Sequence, residues 1–319
     1  MRRLILVLLA MWGALLSGAP PSGATSTPPD PAIAQAMAGA LRRHAPHASW
    51  AIAGIRQHGD WAIGFVAWRD PDTGHLLPGE PGVALARRGA EGWAVALPNA
   101  PHYAAWLEAT PVELLPPDVK AYLRPQDQAP ANVVGYRLPW PNGQQGWAAQ
   151  HTYPAVDLDV LGWPTLGTVR AAKSGQVMFR NDESTVACGY PPASGCPWQA
   201  ANIIVIRSAS NEYVWYMHLT PHSIPTWIQV GTWVERGTDI GVEGETGWAT
   251  APHIHFQVAT NYSCCSCSNG ACAPNWPTTT VAVDFDEYPW SQVNQRWLVS
   301  QNTPPVALDH WLFMPLLLR

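Results

Sequence analysis

Between residues 168 and 258 the chain repeats one pattern, in which short apolar runs alternate with polar positions and each ends on Gly, Pro or Asn. The runs are Thr168–Ala171, Gln176–Phe179, Asn202–Ile206, Tyr213–Met217, Ile240–Val242 and His253–Val258. Such alternation reads as half-buried strands closed by tight turns. Upstream the texture differs. From Pro31 to Arg43, Ile33, Met37, Ala40 and Leu41 share one helical face, with proline at the start. Strand-like runs follow at Trp50–Ile55, Trp61–Trp68, Val83–Arg87 and Trp93–Leu97, the last two joined by the hairpin signal Gly89-Ala90-Glu91-Gly92. Tyr103, Trp106 and Leu107 predict a second short helix. The expected fold is mostly β. A small α+β domain over 31–123 and a proline-containing linker over 124–132 precede a C-terminal antiparallel β-sandwich or rolled sheet over 133–284. An extension over 285–319 shows no decisive pattern.

Composition narrows the setting. Only 13% of the 319 residues are charged, the net charge is -5, and no cluster of Lys and Arg could track a phosphate backbone, so nucleic acid is excluded as a partner. The 32 prolines favour turns over long helices. Most of the 18 tryptophans are expected in packing, and some suit stacking on sugar rings. Arg2 and Arg3, the apolar run Leu4–Leu16 and the small residues after it read as a secretory signal over 1–24, cleaved after Ala24. That run is short of the roughly 20 residues a spanning helix needs. The stretch Trp311–Leu318 is also short and broken by Pro315, so no stable membrane span is expected once the signal is removed. An exported chain meets an oxidising compartment. There Cys188 and Cys196 read as a local disulfide, and Cys264, Cys265, Cys267 and Cys272 as two more of open connectivity.

The candidate chemistry lies in three separated stretches. In His253-Ile254-His255-Phe256 the two imidazoles project to one side of a strand and the apolar residues to the other. Two neighbouring imidazoles are well satisfied by a metal, or by one metal ligand beside one free base. The strand Tyr213–Met217 runs into His218, which alternation places on the face of Val214 and Tyr216. Further back, a turn at Pro154 would fold His151 toward Asp157 or Asp159. Two histidines and one carboxylate suffice for a catalytic zinc site that keeps a fourth position open. The small domain carries no comparable constellation; its histidines His44, His47, His58, His75 and His102 are scattered.

In order and content these segments resemble the lysostaphin/LytM-type zinc endopeptidases. The resemblance covers roughly residues 133–260. It rests on the His151…Asp157 segment, the strand ending Tyr216-Met217-His218-Leu219, and the approach Gly244-Glu245-Thr246-Gly247…Ala251-Pro252-His253-Ile254-His255-Phe256. The stretches Thr165–Val177 and Val230–Gly241 match the family's connecting strands as well. The resemblance implies that His151, Asp157 and His255 ligate Zn2+. It also implies that His218 and His253 act as the unmetallated catalytic histidines. The spacing departs from the commonest family pattern, because five residues separate His151 from Asp157 and position 153 is Tyr. Tyr153-Pro154-Ala155-Val156-Asp157-Leu158 is similar to a longer variant, which favours Asp157 over Asp159.

The implied activity is hydrolysis of peptide stems or cross-bridges in bacterial peptidoglycan, outside the cytoplasm. Two other readings stand beside it: a catalytically silent domain of the same fold that binds cell wall or activates an amidase, and a secreted peptidase acting on Gly-rich proteins. The small domain would serve as inhibitory propeptide, wall-binding module or scaffold.

Overall fold

The computed structural model describes residues 28–98, 100–128, 131–151, 154–160 and 165–305. The signal read over 1–24 and the Trp311–Leu318 stretch lie outside these. Among the described residues no helix is long and apolar enough to cross a membrane.

Helix α1 (Pro31–His44) begins where Asp30 accepts a hydrogen bond from the Ala32 N–H, and it buries the predicted face Ile33, Met37, Ala40 and Leu41. That face covers an antiparallel meander of β1 (Ser49–His58), β2 (Trp61–Arg69), β3 (Gly82–Gly89) and β4 (Gly92–Ala96). Helix α2 (Tyr103–Ala109) matches expectation, whereas α3 (Pro117–Leu123) carries no strong periodic signal. The two helices are tied by Lys120, a buried lysine whose ammonium donates to the carbonyls of Glu108 and Thr110 at the end of α2. A cationic donor is well placed against carbonyls left open at a helix C-terminus.

The remaining strands are β5 (Asp127–Gln128), β6 (Val133–Tyr136), β7 (Gln145–Gln150), β8 (Ala155–Val160), β9 (Thr168–Arg170), β10 (Gly175–Asn181), β11 (Ile203–Ser208) and β12 (Tyr213–Met217). They are followed by β13 (Trp233–Val234), β14 (Asp239–Val242), β15 (Ile254–Ala259), β16 (Ser266–Ser268), β17 (Ala271–Ala273), β18 (Thr279–Val281), β19 (Val283–Phe285) and β20 (Arg296–Val299). The spine is one sheet in the order β13-β10-β11-β12-β15-β8-β7-β20, antiparallel throughout. Two segments without strand signals join it. β5, inside the stretch read as linker, pairs parallel to β18, and β20, in the C-terminal extension, pairs with β7. Cys188 is bonded to Cys196 and Cys267 to Cys272, the latter pair facing each other across the β16–β17 hairpin; Cys264 and Cys265 are joined as neighbours.

Alternation along the spine divides its residues between two cores. Val156, Leu158, Val214, Tyr216, Ile254 and Phe256 face one side, where Val169 and Ile240 of the small β9–β14 sheet complete a sandwich. Trp215 and Met217 face the other, together with Ile63, Phe65, Val83 and Leu85 of the meander and Tyr103 and Leu107 of α2. One apolar cluster therefore spans the N-terminal segment and the sheet that carries the histidines.

Glu243 closes the connection between β8 and β9. Its buried carboxyl accepts from the Val160 N–H at 2.8 Å and the Gly167 N–H at 2.6 Å. Burial pushes its pKa up to about 8, against those two donors and with help from Asp159. Because the folded value lies above the ordinary 4.5, the native chain holds a proton that the unfolded chain releases. Stability should thus be full below pH 4.5 and decline as pH rises toward about 8. Urea midpoints measured across that window should fall for the parent chain, and the slope should flatten in E243Q; equal slopes would contradict the assignment.

Candidate metal centre

Neighbouring strands in register put the functional side chains together. His255 on β15 lies opposite Met217 of β12 on one side and Asp157 of β8 on the other. All three project to the face shared with the N-terminal segment. The β7–β8 hairpin folds His151 back as expected: its N–H donates to the Ala155 carbonyl at 3.0 Å, and its Nε2 lies 2.8 Å from Asp157 Oδ1. The same oxygen is 3.2 Å from His255 Nδ1 and 3.6 Å from His253 Nε2. Asp157, rather than Asp159, is the carboxylate that these imidazoles surround.

His218 reaches the site by a route that alternation did not foresee. Strand β12 ends at Met217, and His218 takes φ +65°, a left-handed conformation uncommon outside glycine. The ring thereby leaves the Val214–Tyr216 side and lies 4.7 Å from His253, centroid to centroid. Its Nδ1 is 2.7 Å from the Thr246 carbonyl. Gly247, at φ +75°, lets that loop approach closely, since a Cβ there would lie 2.7 Å from Ala201 N.

Each remaining ring is oriented by a defined partner. His253 Nδ1 lies 2.8 Å from the Ala251 carbonyl, so it is the donor and Nε2 carries the lone pair toward Asp157. Among the described residues that buried Nε2 makes no hydrogen bond. Burial, reinforced by the nearby His218, lowers the His253 pKa to about 4 and keeps the ring neutral. His255 Nε2 lies 3.2 Å from Gln257 Oε1, which leaves Nδ1 facing the centre. Burial opposes a charge on His255, but Glu80 and Asp157 outweigh it and raise the pKa to about 9. Burial likewise opposes ionisation of Asp157, yet His151 and His253 hold its carboxyl well below the usual range.

The arrangement also contains Glu80, from the loop between β2 and β3, which the sequence did not mark as functional. Glu80, His151 and His255 each offer a ligand atom, and these atoms lie within 4.8 Å of one another. Burial favours the neutral acid, but His255 and His218 hold the Glu80 carboxyl down to about 2. Buried imidazole nitrogens gathered around carboxylate oxygens are the donor set zinc prefers, and a lone pair left without a donor at His253 suits the edge of such a centre. His151, Asp157 and His255 thus fit a metal. A cleft of about 530 Å³ opens beside them, lined by Trp50, Trp68, Glu80, Trp147, His151 and Asp157 among others.

Comparison with known proteins agrees with the character of this centre. Residues 159–266 match the model of Peptidase family M23, a stretch that includes His218, His253 and His255 and begins just after Asp157. Lysostaphin of Staphylococcus simulans is 47% identical over 47 residues, which cover 15% of this chain and 9% of that protein. The glycyl-glycine endopeptidase ALE-1 of Staphylococcus capitis is 49% identical over 47 residues, covering 15% of this chain and 12% of its own length. The chain therefore spans about a tenth of the curated relatives it matches. The crystallised catalytic domain of lysostaphin from Staphylococcus simulans aligns with 44% of this chain and 85% of its own at 25% identity, with a TM-score of 0.25. Within this mostly β chain, residues 159–266 form a Peptidase family M23 domain.

Proposed function

We propose that the chain is an extracytoplasmic zinc metalloendopeptidase that hydrolyses peptide cross-links of bacterial peptidoglycan. One observation carries this reading: four imidazoles and the Asp157 carboxylate, drawn from three separated stretches, converge on the buried face of one sheet. The similarity to a glycyl-glycine endopeptidase supports glycine-containing cross-bridges as the substrate class.

His151, Asp157 and His255 would hold the ion. Bound there, zinc would supply Lewis-acid polarisation of a scissile carbonyl and a water made more acidic, toward a pKa of about 7. The protein contributes the rest. With Nδ1 engaged by Ala251, neutral His253 presents Nε2 as a proton acceptor within the site, and the same atom can return that proton to the leaving amine. His218, fixed through Nδ1 by Thr246, directs Nε2 inward as a donor to oxygen developing charge. Gln257 orients His255, the kind of outer support that commonly sets metal affinity.

The test is release of amines from purified sacculi and from a pentaglycine peptide, with and without a chelator. Metal-dependent cleavage is expected. Binding to sacculi with no amine released in the presence of zinc would favour the silent wall-binding reading instead, and cleavage confined to Gly-rich proteins would redirect the substrate.

A further inference from the structure

The loop Leu77–Gly82 leaves the N-terminal meander and enters the centre just described. Glu80 is carried at its tip with only 7% of its side chain exposed. Its Oε1 lies 3.1 Å from His218 Nε2 and 3.4 Å from His255 Nδ1, and its backbone N–H donates to Asp157 Oδ2 at 3.0 Å. The loop is fastened from the peptidase side. The Thr250 N–H donates to the Gly79 carbonyl at 2.9 Å, while its hydroxyl lies 2.8 Å from the Leu77 carbonyl and 2.7 Å from that of Gly79. The approach is close enough that a Cβ at Gly79 would stand 3.0 Å from Asp157 Oδ2.

These contacts are hard to reconcile with a passive surface loop. Burying a carboxylate is costly unless it is paired, and Glu80 has come from a separate segment to meet the same nitrogens a substrate would need. A catalytic zinc site requires one position left open for water or substrate, and a fourth protein ligand closes it. His218, the inward donor, is already engaged by the Glu80 carboxylate.

Resting on the metallopeptidase reading, we propose that Glu80 is a metal ligand supplied by the N-terminal segment, and that the 77–82 loop holds the peptidase latent until it is displaced. The 31–123 segment then acts as a tethered inhibitor of its own catalytic domain, and the cluster around Trp215 and Phe65 keeps the two together.

The experiment uses the full mature chain loaded with cobalt(II), whose visible spectrum reports its ligands. Parent, E80Q, E80A and T250V are titrated with acetohydroxamate, a small metal-binding probe, and the same preparations are assayed on a pentaglycine peptide. If Glu80 keeps the open form below a tenth of the population, removing it should tighten the probe by about tenfold or more. The spectrum should change in E80Q and E80A before any probe is added, and cleavage should accelerate by a similar factor. T250V, which loosens the loop without touching a ligand, should move the probe affinity in the same direction. Equal spectra and equal probe affinity in parent and E80Q would overturn the proposal. So would slower cleavage by E80Q with metal retained, which would make Glu80 part of the catalytic apparatus. Failure of every preparation, parent included, to bind metal would instead remove the metallopeptidase reading, and this proposal with it.

Discussion

Asp157→Asn is expected to strip the centre of metal and stop hydrolysis while leaving the fold intact. Asp157 Oδ1 is the atom around which three imidazole nitrogens gather, at 2.8, 3.2 and 3.6 Å. Asparagine keeps the shape but removes the negative charge. Loss of an outer partner of a ligand costs about 10–100-fold in metal affinity, so loss of the ligand charge itself should exceed that range. Cleavage should drop by about a thousandfold or more, equivalent to ~4 kcal/mol of barrier. Chelator competition and peptide assays measure both. D159N serves as the control and should retain metal, because the imidazoles gather around Asp157; the reverse outcome would move the ligand assignment to Asp159.

The second large effect concerns the core beneath the centre. Trp215→Ala should destabilise the chain by about 3–5 kcal/mol, the range for truncating a buried large aromatic. Trp215 is fully buried and packs against Trp276 at 5.8 Å between ring centroids, and Trp276 in turn lies 5.7 Å from the His255 ring. The same cluster joins Phe65, Val83 and Leu85 to Met217 and Trp248, so the void would open between the N-terminal segment and the peptidase sheet. Urea unfolding gives the magnitude. A loss below about 1 kcal/mol would mean that the two segments do not share this core as a single unit.

What the sequence could reveal follows from which interactions are local. Alternation placed β10, β11, β12 and β15 within a residue or two, because each strand's two faces are written in its own side chains. The His253–His255 pair and the Pro154 turn were legible for the same reason. His218 was assigned to the wrong strand face: a left-handed residue at a strand end has no periodic signature, and the identity of the next loop, with Thr246 and Gly247, decides where the ring goes. The pairing of β5 with β18 and of β20 with β7 depends on edges exposed by other strands, which short segments do not announce. Glu80 was harder still. Its one sign was a lone carboxylate in the proline- and glycine-rich run Leu77-Pro78-Gly79-Glu80-Pro81-Gly82. Its partners lie on other elements far along the chain. Most tryptophans proved to be packing residues, as the composition suggested, though Trp50, Trp68 and Trp147 line the cleft beside the centre.

The most direct measurement is anomalous diffraction at the zinc edge from crystals of the full mature chain. A single strong peak bonded to His151, Asp157 and His255 is the predicted result. Crystals grown with zinc present that show no peak there, or a peak held elsewhere in the chain, would contradict the account.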